Sequence, residues 1–304
     1  MKIFLAGTWS RQWLVKGYVN ESLSSRGELS PFACSDNSKP TKTDKDGGEG
    51  MKLFLAGQAP WKYEGIYDKS IQGSHPYILE SFLYVNKDTE RLMPYYGDFL
   101  LDSGAFTFCK TGDFSLHKVD EYLERYADFI VKNKVDKFFE LDIDSITGYD
   151  KVLEYRARLE KLTGKQPIPV WHRNRGKEEF VRHCEEYPYV ALGGYAAGVT
   201  AGDTKQKDYV KAFPWFIKTA HKNHAKIHGL GFTVLKGLEQ YHFDSVDSTA
   251  WTTGNRFGYV YKFNGRTMEK IPVPNGKRMA DSKAIALINF TEWVKFQKYA
   301  DTHL

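Results

Sequence analysis

A chain of 304 residues is long enough for one large α/β domain that needs no disulfide staples. Apolar residues make up 41% and charged residues 27%, a globular balance that excludes disordered and fibrous classes. A net charge of +5 permits a polyanionic partner without requiring one.

No apolar run approaches the roughly 18 residues that span a bilayer. The start, MKIFLAGTWSRQW, has too short an apolar stretch for a secretory signal. Cys34, Cys109 and Cys184 lie far apart, with no C-x-x-C pair. That spacing points to a reducing, cytoplasmic setting and away from a cysteine-built zinc site.

In chain order, residues 1–7 read MKIFLAG and residues 51–57 read MKLFLAG. The stretch between them, 20–50, is rich in Ser, Asp, Lys, Gly and Pro, a linker composition. Two seven-residue matches are too short for a repeat architecture. The expectation is an extension or linker over 1–50, partly disordered, and one folded domain over 51–304.

From there short apolar runs alternate with helical patterns. The runs are 52–56, 99–101 ending at Asp102, 138–141 ending at Asp142 and 169–171 ending at His172. Then come 189–192 before Gly193-Gly194, 226–228 ending at His228 and Gly229, and 243–246 leading into Asp247. Between them, Val119, Tyr122, Leu123, Tyr126, Ala127, Ile130 and Val131 follow helical spacing after Ser115, a ready N-cap. Residues 149–162 carry a Val152, Tyr155, Leu159, Leu162 stripe, and 177–186, 214–223 and 282–300 also read as helices. This alternation implies a parallel sheet, and about seven units in some 250 residues suggest a (β/α)8 TIM-like barrel. One stretch breaks the rhythm. Residues 258–263, the Asn264-Gly265 turn and 267–273 read as a β-hairpin inserted after the Asp247 strand.

Asp102, Asp142, His172, His228 and Asp247 each close a short apolar run. In a parallel barrel such positions share the C-terminal rim, where active sites form. Three rim carboxylates suit glycosyl chemistry, in which one attacks an anomeric carbon and another handles the proton. Glycines in Ser103-Gly104-Ala105, Gly193-Gly194 and 229–231 let backbone approach a flat ligand. Phe106 and Tyr195 offer aromatic faces. His221, His224 and His228 have H-x2-H-x3-H spacing, but Lys222 and Lys226 interleave and the helix should end near Asn223. A solvated helix end fits better than a metal site, so no metal is expected.

Residues 256–278 hold Arg256, Lys262, Arg266, Lys270, Lys277 and Arg278 against the single acid Glu269, interleaved with Phe257, Tyr259, Tyr261 and Phe263. A basic aromatic hairpin suits phosphate contacts and base stacking. The alternative is a solvated hairpin with one buried aromatic face. Arg173 and Arg175 are further candidates for phosphate contacts.

Four segments resemble one family. LLDSGAF (100–106), ALGGYAAG (191–198), HGLGFT (228–233) and FDSVDSTAW (243–251) are similar, in order, to motifs of the tRNA-guanine transglycosylases. SVDSTAW and HGLGFT look more like the phage and bacterial branch that places 7-deazaguanine bases in DNA. The resemblance implies a cofactor-free exchange of guanine for a free 7-deazaguanine base on a (β/α)8 barrel, in the host cytoplasm if phage-encoded. It makes Asp247 the nucleophile and Asp102 the general acid/base. Asp142, Ser103, Phe106, His172, Gly193, Gly194, Tyr195 and His228 become the base pocket, and Arg173, Arg175, Arg256, Lys262 and Arg266 the nucleic-acid contacts. Asp144 and Asp244 fall beside matched positions as supporting or surface residues.

The chain departs from the family where Ala105 replaces a glycine, Thr107 a glutamine and Val199 a glutamate. It also lacks the C-x-C-x-x-C zinc motif of the tRNA enzymes. DNA is therefore the expected partner, with tRNA the alternative; an N-glycoside hydrolase and an inactive binding barrel are the other readings. No membrane partner is expected, and the oligomeric state is left open.

Overall fold

The computed structural model describes residues 50–57, 66–111, 115–193, 211–232, 238–254, 259–272 and 282–304. The expected extension over 1–49 lies outside the described residues, as do Gly194, Tyr195, Val199 and Arg256.

Seven strands build one sheet: β1 (Lys52–Ala56), β2 (Tyr77–Ser81), β3 (Asp98–Asp102), β4 (Val170–Trp171), β5 (Tyr189–Leu192), β6 (Lys226–Gly229) and β7 (Ser245–Ser248). They run in the order β3-β2-β1-β7-β6-β5-β4, and every pairing is parallel. The sheet curls until its two edge strands meet a common bridge. Phe138 pairs with Leu101 of β3, and Phe139 pairs with Ile168 just before β4. Phe139 N–H donates to Leu101 O at 2.9 Å, and Ile168 N–H to Phe138 O at 2.7 Å. The stretch expected as a strand over 138–141 thus contributes two isolated bridges. The buried Tyr126 hydroxyl lies 3.1 Å from Leu101 O and 3.0 Å from Phe139 O, serving carbonyls at this short junction.

Side chains at alternate strand positions fill the inside of the curl. Phe54, Ala56, Leu79, Leu100, Phe139, Ile168, Val170 and Ala191 form one buried cluster there. Two larger clusters lie between the sheet and its helices. The helices among the described residues are α1 (Ile66–Ser74), α2 (Lys87–Leu92), α3 (Ala105–Thr111), α4 (Leu116–Lys132), α5 (Asp144–Thr147), α6 (Tyr149–Thr163), α7 (Gly176–Glu186), α8 (Phe213–Lys222) and α9 (Ser282–His303).

Ser115 caps α4 as expected, its hydroxyl accepting from Lys118 N–H at 3.3 Å. The α4 stripe is buried from Val119 to Ile130, but Val131 is exposed, because it stands about 100° around the helix from Ile130. The α6 stripe likewise buries Val152, Tyr155 and Leu159 and leaves Leu162 exposed in the last turn.

The sequence reading passes over β2. Its buried Glu80 breaks the apolar run, and that carboxylate is met by the hydroxyls of Thr89 at 2.7 Å and Tyr96 at 3.0 Å.

After β7, β8 (Tyr259–Phe263) and β9 (Met268–Pro272) pair antiparallel, with Phe263 opposite Met268. At the turn, Asn264 Oδ1 accepts from Arg266 N–H at 3.0 Å and Thr267 N–H at 2.9 Å. Tyr259 and Tyr261 face inward. Tyr261 N–H donates to Asn289 Oδ1 of α9 at 2.7 Å, and its ring meets Trp293 edge-on. Phe263 packs on Phe296 and Tyr299. Tyr259 and Tyr261 are thus buried and Phe263 half-buried, giving the hairpin a covered aromatic face, while Lys262 and Arg266 stay exposed. No described helix is long and apolar enough to cross a membrane.

Candidate active site

Parallel strands bring their C-terminal ends to one rim of the curl, and the expected acids gather there. Asp102 ends β3 opposite Ser81 of β2. Gly104, at φ +65°, turns its N–H back to Asp102 Oδ2 at 3.2 Å. A Cβ on Gly104 would stand 2.4 Å from Ser81 Oγ and 2.8 Å from Leu83 Cβ, so close approach as well as φ requires glycine. Burial lifts the Asp102 carboxyl, and the charges of Asp142 and Asp247 lift it further; bonds from Ser81 and Gly104 only partly offset this, leaving its pKa at about 7. Beside it, Ser103 is 2% exposed. Its hydroxyl accepts from Ala105 N–H at the start of α3, and its carbonyl takes the Tyr122 hydroxyl. That side chain caps the start of α3 beside Asp102. Phe106 is half-buried on the first turn of α3, with Lys110 Nζ 4.2 Å from its ring centroid.

Asp247 lies on β7 in register with Phe54 and is 3% exposed. Its Oδ1 accepts from Gly231 N–H at 2.6 Å and stands 3.3 Å from His228 Nε2. Its Oδ2 has no hydrogen bond among the described residues. His228 is 0% exposed, lying against Phe54 and Phe139 inside the curl. It meets Asp247 from within the curl, below the rim position expected of it. The cause is its strand register: His228 lies opposite Ser245, one inward position below Asp247.

The third acid is held by a dense polar group. His172 Nε2 lies 2.7 Å from both oxygens of Asp142. Burial lowers the His172 pKa, but Asp142 outweighs it and holds it above the usual range. A Cβ on Gly193 would stand 2.7 Å from His172 Cε1 and 2.8 Å from Val170 Cγ1, so this glycine makes room for the imidazole. Arg175, expected to reach phosphate, has a side chain only 1% exposed. It donates to Glu140 at 2.8 Å, to Asp144 at 3.1 Å and lies 3.4 Å from Asp142. Three carboxylates draw it inward, so it is not a surface cation. Arg173, two residues earlier, is exposed.

Asp142, Asp144 and His172 each offer a ligand atom within 4.8 Å of the others, the one such group among the described residues. Arg175 already lies against both carboxylates, and Asp142 occupies His172 Nε2. His221, His224 and His228 do not converge: His221 pairs with Asp244 at 3.0 Å, outside the curl, and α8 ends at Lys222 with Asn223 as its C-cap.

Two contributors escape the sequence reading. Ser81 belongs to the unread strand β2. Glu140 sits inside an apolar run, where it accepts from Arg156 at 2.6 Å and from Val170 N–H at 2.9 Å. Gly231, expected to present its backbone to a ligand, gives its N–H to Asp247 instead. Of the nucleic-acid candidates on the hairpin, Lys262 and Arg266 are exposed, and Arg266 lies 3.9 Å from Glu239.

No family model matches the chain, and no curated protein is matched. Among solved structures, it is similar to QR15, an aldolase, at 13% identity and a TM-score of 0.42, over 66% of this chain and 89% of that one. A D-allulose 3-epimerase from Methylomonas sp. matches at 13% identity and a TM-score of 0.42, over 82% and 98% of the two chains. The carboxyl transferase domain of Rhizobium etli pyruvate carboxylase matches at 12% identity and a TM-score of 0.41, over 78% and 44%.

Proposed function

We propose that this chain is a base-exchange glycosyltransferase on a (β/α)8 barrel, replacing guanine in DNA with a 7-deazaguanine base. One observation carries the reading: two rim carboxylates differ in how they are held. Asp102 keeps its proton up to a pKa of about 7, partly through the charge of Asp247. Asp247 has one oxygen pinned by Gly231 and His228. A proton donor beside a pinned carboxylate on one rim is the division of labour that retaining glycosyl transfer needs.

In the first half-reaction, Asp247 Oδ2 attacks C1′ of the nucleotide. The C1′–N bond breaks, and Asp102 gives its proton to a ring nitrogen of the departing base. In the second half-reaction, Asp102, now a carboxylate, takes a proton from the incoming base. That base attacks C1′ and releases Asp247. Asp142, with 29% of its side chain exposed, keeps acceptor capacity for a base edge while His172 and Arg175 hold it in place. Exposed Lys262 and Arg266 supply cations for the phosphate backbone.

The test is incorporation of labelled guanine into duplex DNA, single-stranded DNA and tRNA. Label in DNA supports the reading. Label in tRNA alone moves the same chemistry to the other polymer. Base release without incorporation replaces exchange with hydrolysis, and no reaction in any arm overturns the reading.

A further inference from the structure

The interior of a parallel barrel is normally filled by branched apolar side chains. Here a hydrogen-bonded polar chain links the adjacent strands β5, β6 and β7 on its inner wall. The Tyr189 hydroxyl on β5 bonds Ser245 Oγ on β7. Ser245 Oγ lies 2.5 Å from His228 Nδ1 on β6, and His228 Nε2 lies 3.3 Å from Asp247 Oδ1. Ser245 is 1% exposed and His228 0%. Phe54, Phe139 and the Tyr189 ring surround the imidazole at centroid distances of 6.1, 5.5 and 6.4 Å. Groups buried this deeply are retained only when their donors and acceptors are matched.

For a neutral imidazole beside an ionised Asp247, the matching has one consistent direction. A carboxylate accepts only, so His228 Nε2 carries the proton. Nδ1 then accepts from the Ser245 hydroxyl, and Ser245 Oγ accepts from Tyr189. We infer that His228 is a positioning residue whose Nε2–H tautomer, supported at Nδ1 by Ser245 and Tyr189, fixes the rotation of the Asp247 carboxylate. With Gly231 N–H it holds Oδ1 at the strand side and leaves Oδ2 for the attack on C1′. The same two donors face the acyl oxygen of the covalent adduct and the carboxylate released from it. This rests on the nucleophile role given to Asp247 above.

Two measurements on the full chain test it. The first needs no substrate: histidine-selective 15N labelling, with the His228 signals assigned by their loss in His228→Gln. The expected spectrum shows protonated Nε2 and unprotonated Nδ1, moving toward a tautomer mixture in Ser245→Ala. A protonated Nδ1 in the parent, or an unchanged Ser245→Ala spectrum, overturns the inference.

The second uses labelled guanine and duplex DNA. Ser245→Ala should lower kcat by about 10-fold with KM unchanged, and His228→Leu should lower kcat by about 100-fold. His228→Gln, which keeps a donor, should recover part of the loss. Thermal melting confirms that each variant is folded. A folded Ser245→Ala protein with the parent kcat overturns the positioning role while leaving exchange intact. An active Asp247→Asn protein overturns the parent reading itself, whatever the relay does.

Discussion

The Arg175 guanidinium lies 2.8 Å from the Glu140 carboxylate, and the two side chains are 1% and 0% exposed. Glu140 also takes Arg156 at 2.6 Å and the backbone N–H of Val170, so one buried acid joins the Phe139 bridge, β4 and α6. Through its other nitrogens Arg175 steadies Asp144 and Asp142 at the rim. Burial alone would raise the Glu140 pKa, but Arg156 and Arg175 outweigh it and hold it below the usual range.

Removing Arg175 leaves a buried acid with half its compensation. Arg175→Met should therefore destabilise the fold by about 3–5 kcal/mol, measured by urea unfolding. The pH dependence has a definite sign. A depressed carboxylate contributes stability that is whole above its unfolded value of about 4.3 and is lost as pH falls through the folded value. Acid titration of the parent should show that loss below about pH 4, and Arg175→Met should move the acid midpoint upward.

The raised Asp102 pKa predicts a rate profile. The first half-reaction needs its proton, so kcat/KM for labelled guanine exchange should fall as pH rises through about 7. Asp102→Asn should lose the activity and that limb together. Its stability should also change with pH. Because the folded pKa lies above the unfolded one, the parent loses stability between about pH 4 and pH 7 relative to Asp102→Asn. A parent rate that stays flat through neutral pH would remove Asp102 from the acid role.

Gly104→Ala should impair both fold and chemistry. The αL backbone costs a side chain roughly 1–2 kcal/mol, and the added Cβ meets Ser81 Oγ at 2.4 Å. Relief of that contact moves the N–H that holds Asp102. Thermal melting should show the loss of stability, and guanine exchange should fall more than the melting shift explains at a temperature where the variant is folded.

The hairpin now separates into two experiments. Lys262→Ala with Arg266→Ala should weaken duplex DNA binding about evenly across sequences and flatten its salt dependence by roughly two phosphate contacts. Tyr261→Ala should instead cost about 3–5 kcal/mol of stability, since its ring is buried on α9 against Trp293. Binding titrations at several salt concentrations and urea unfolding, run on both variants, check the division. DNA binding lost in Tyr261→Ala without a loss of stability would return that ring to a stacking role.

Some of this molecule is written in local pattern. A short apolar run followed by Asp or His places that residue at a strand end, and parallel strands put such ends on one rim. Asp102, Asp142, His172 and Asp247 were therefore legible as a group, as were the cap at Ser115 and the face of α4 from Val119 to Ile130. These depend on residues only a few positions apart. What the sequence did not determine depends on partners brought from elsewhere. Arg175 resembles a surface cation until Glu140, 35 positions away, draws it inward. His228 resembles a rim residue until its register with Ser245 sets it below Asp247. Tyr261 alternates with lysine as a stacking residue might, but α9 covers it. Strand β2 escaped because Glu80 interrupts its apolar pattern, and the hydroxyls that satisfy Glu80 come from Thr89 and Tyr96. In each case burial is decided by a neighbour distant in sequence, and a buried charge or hydroxyl is stable only where that neighbour supplies the matching donor or acceptor.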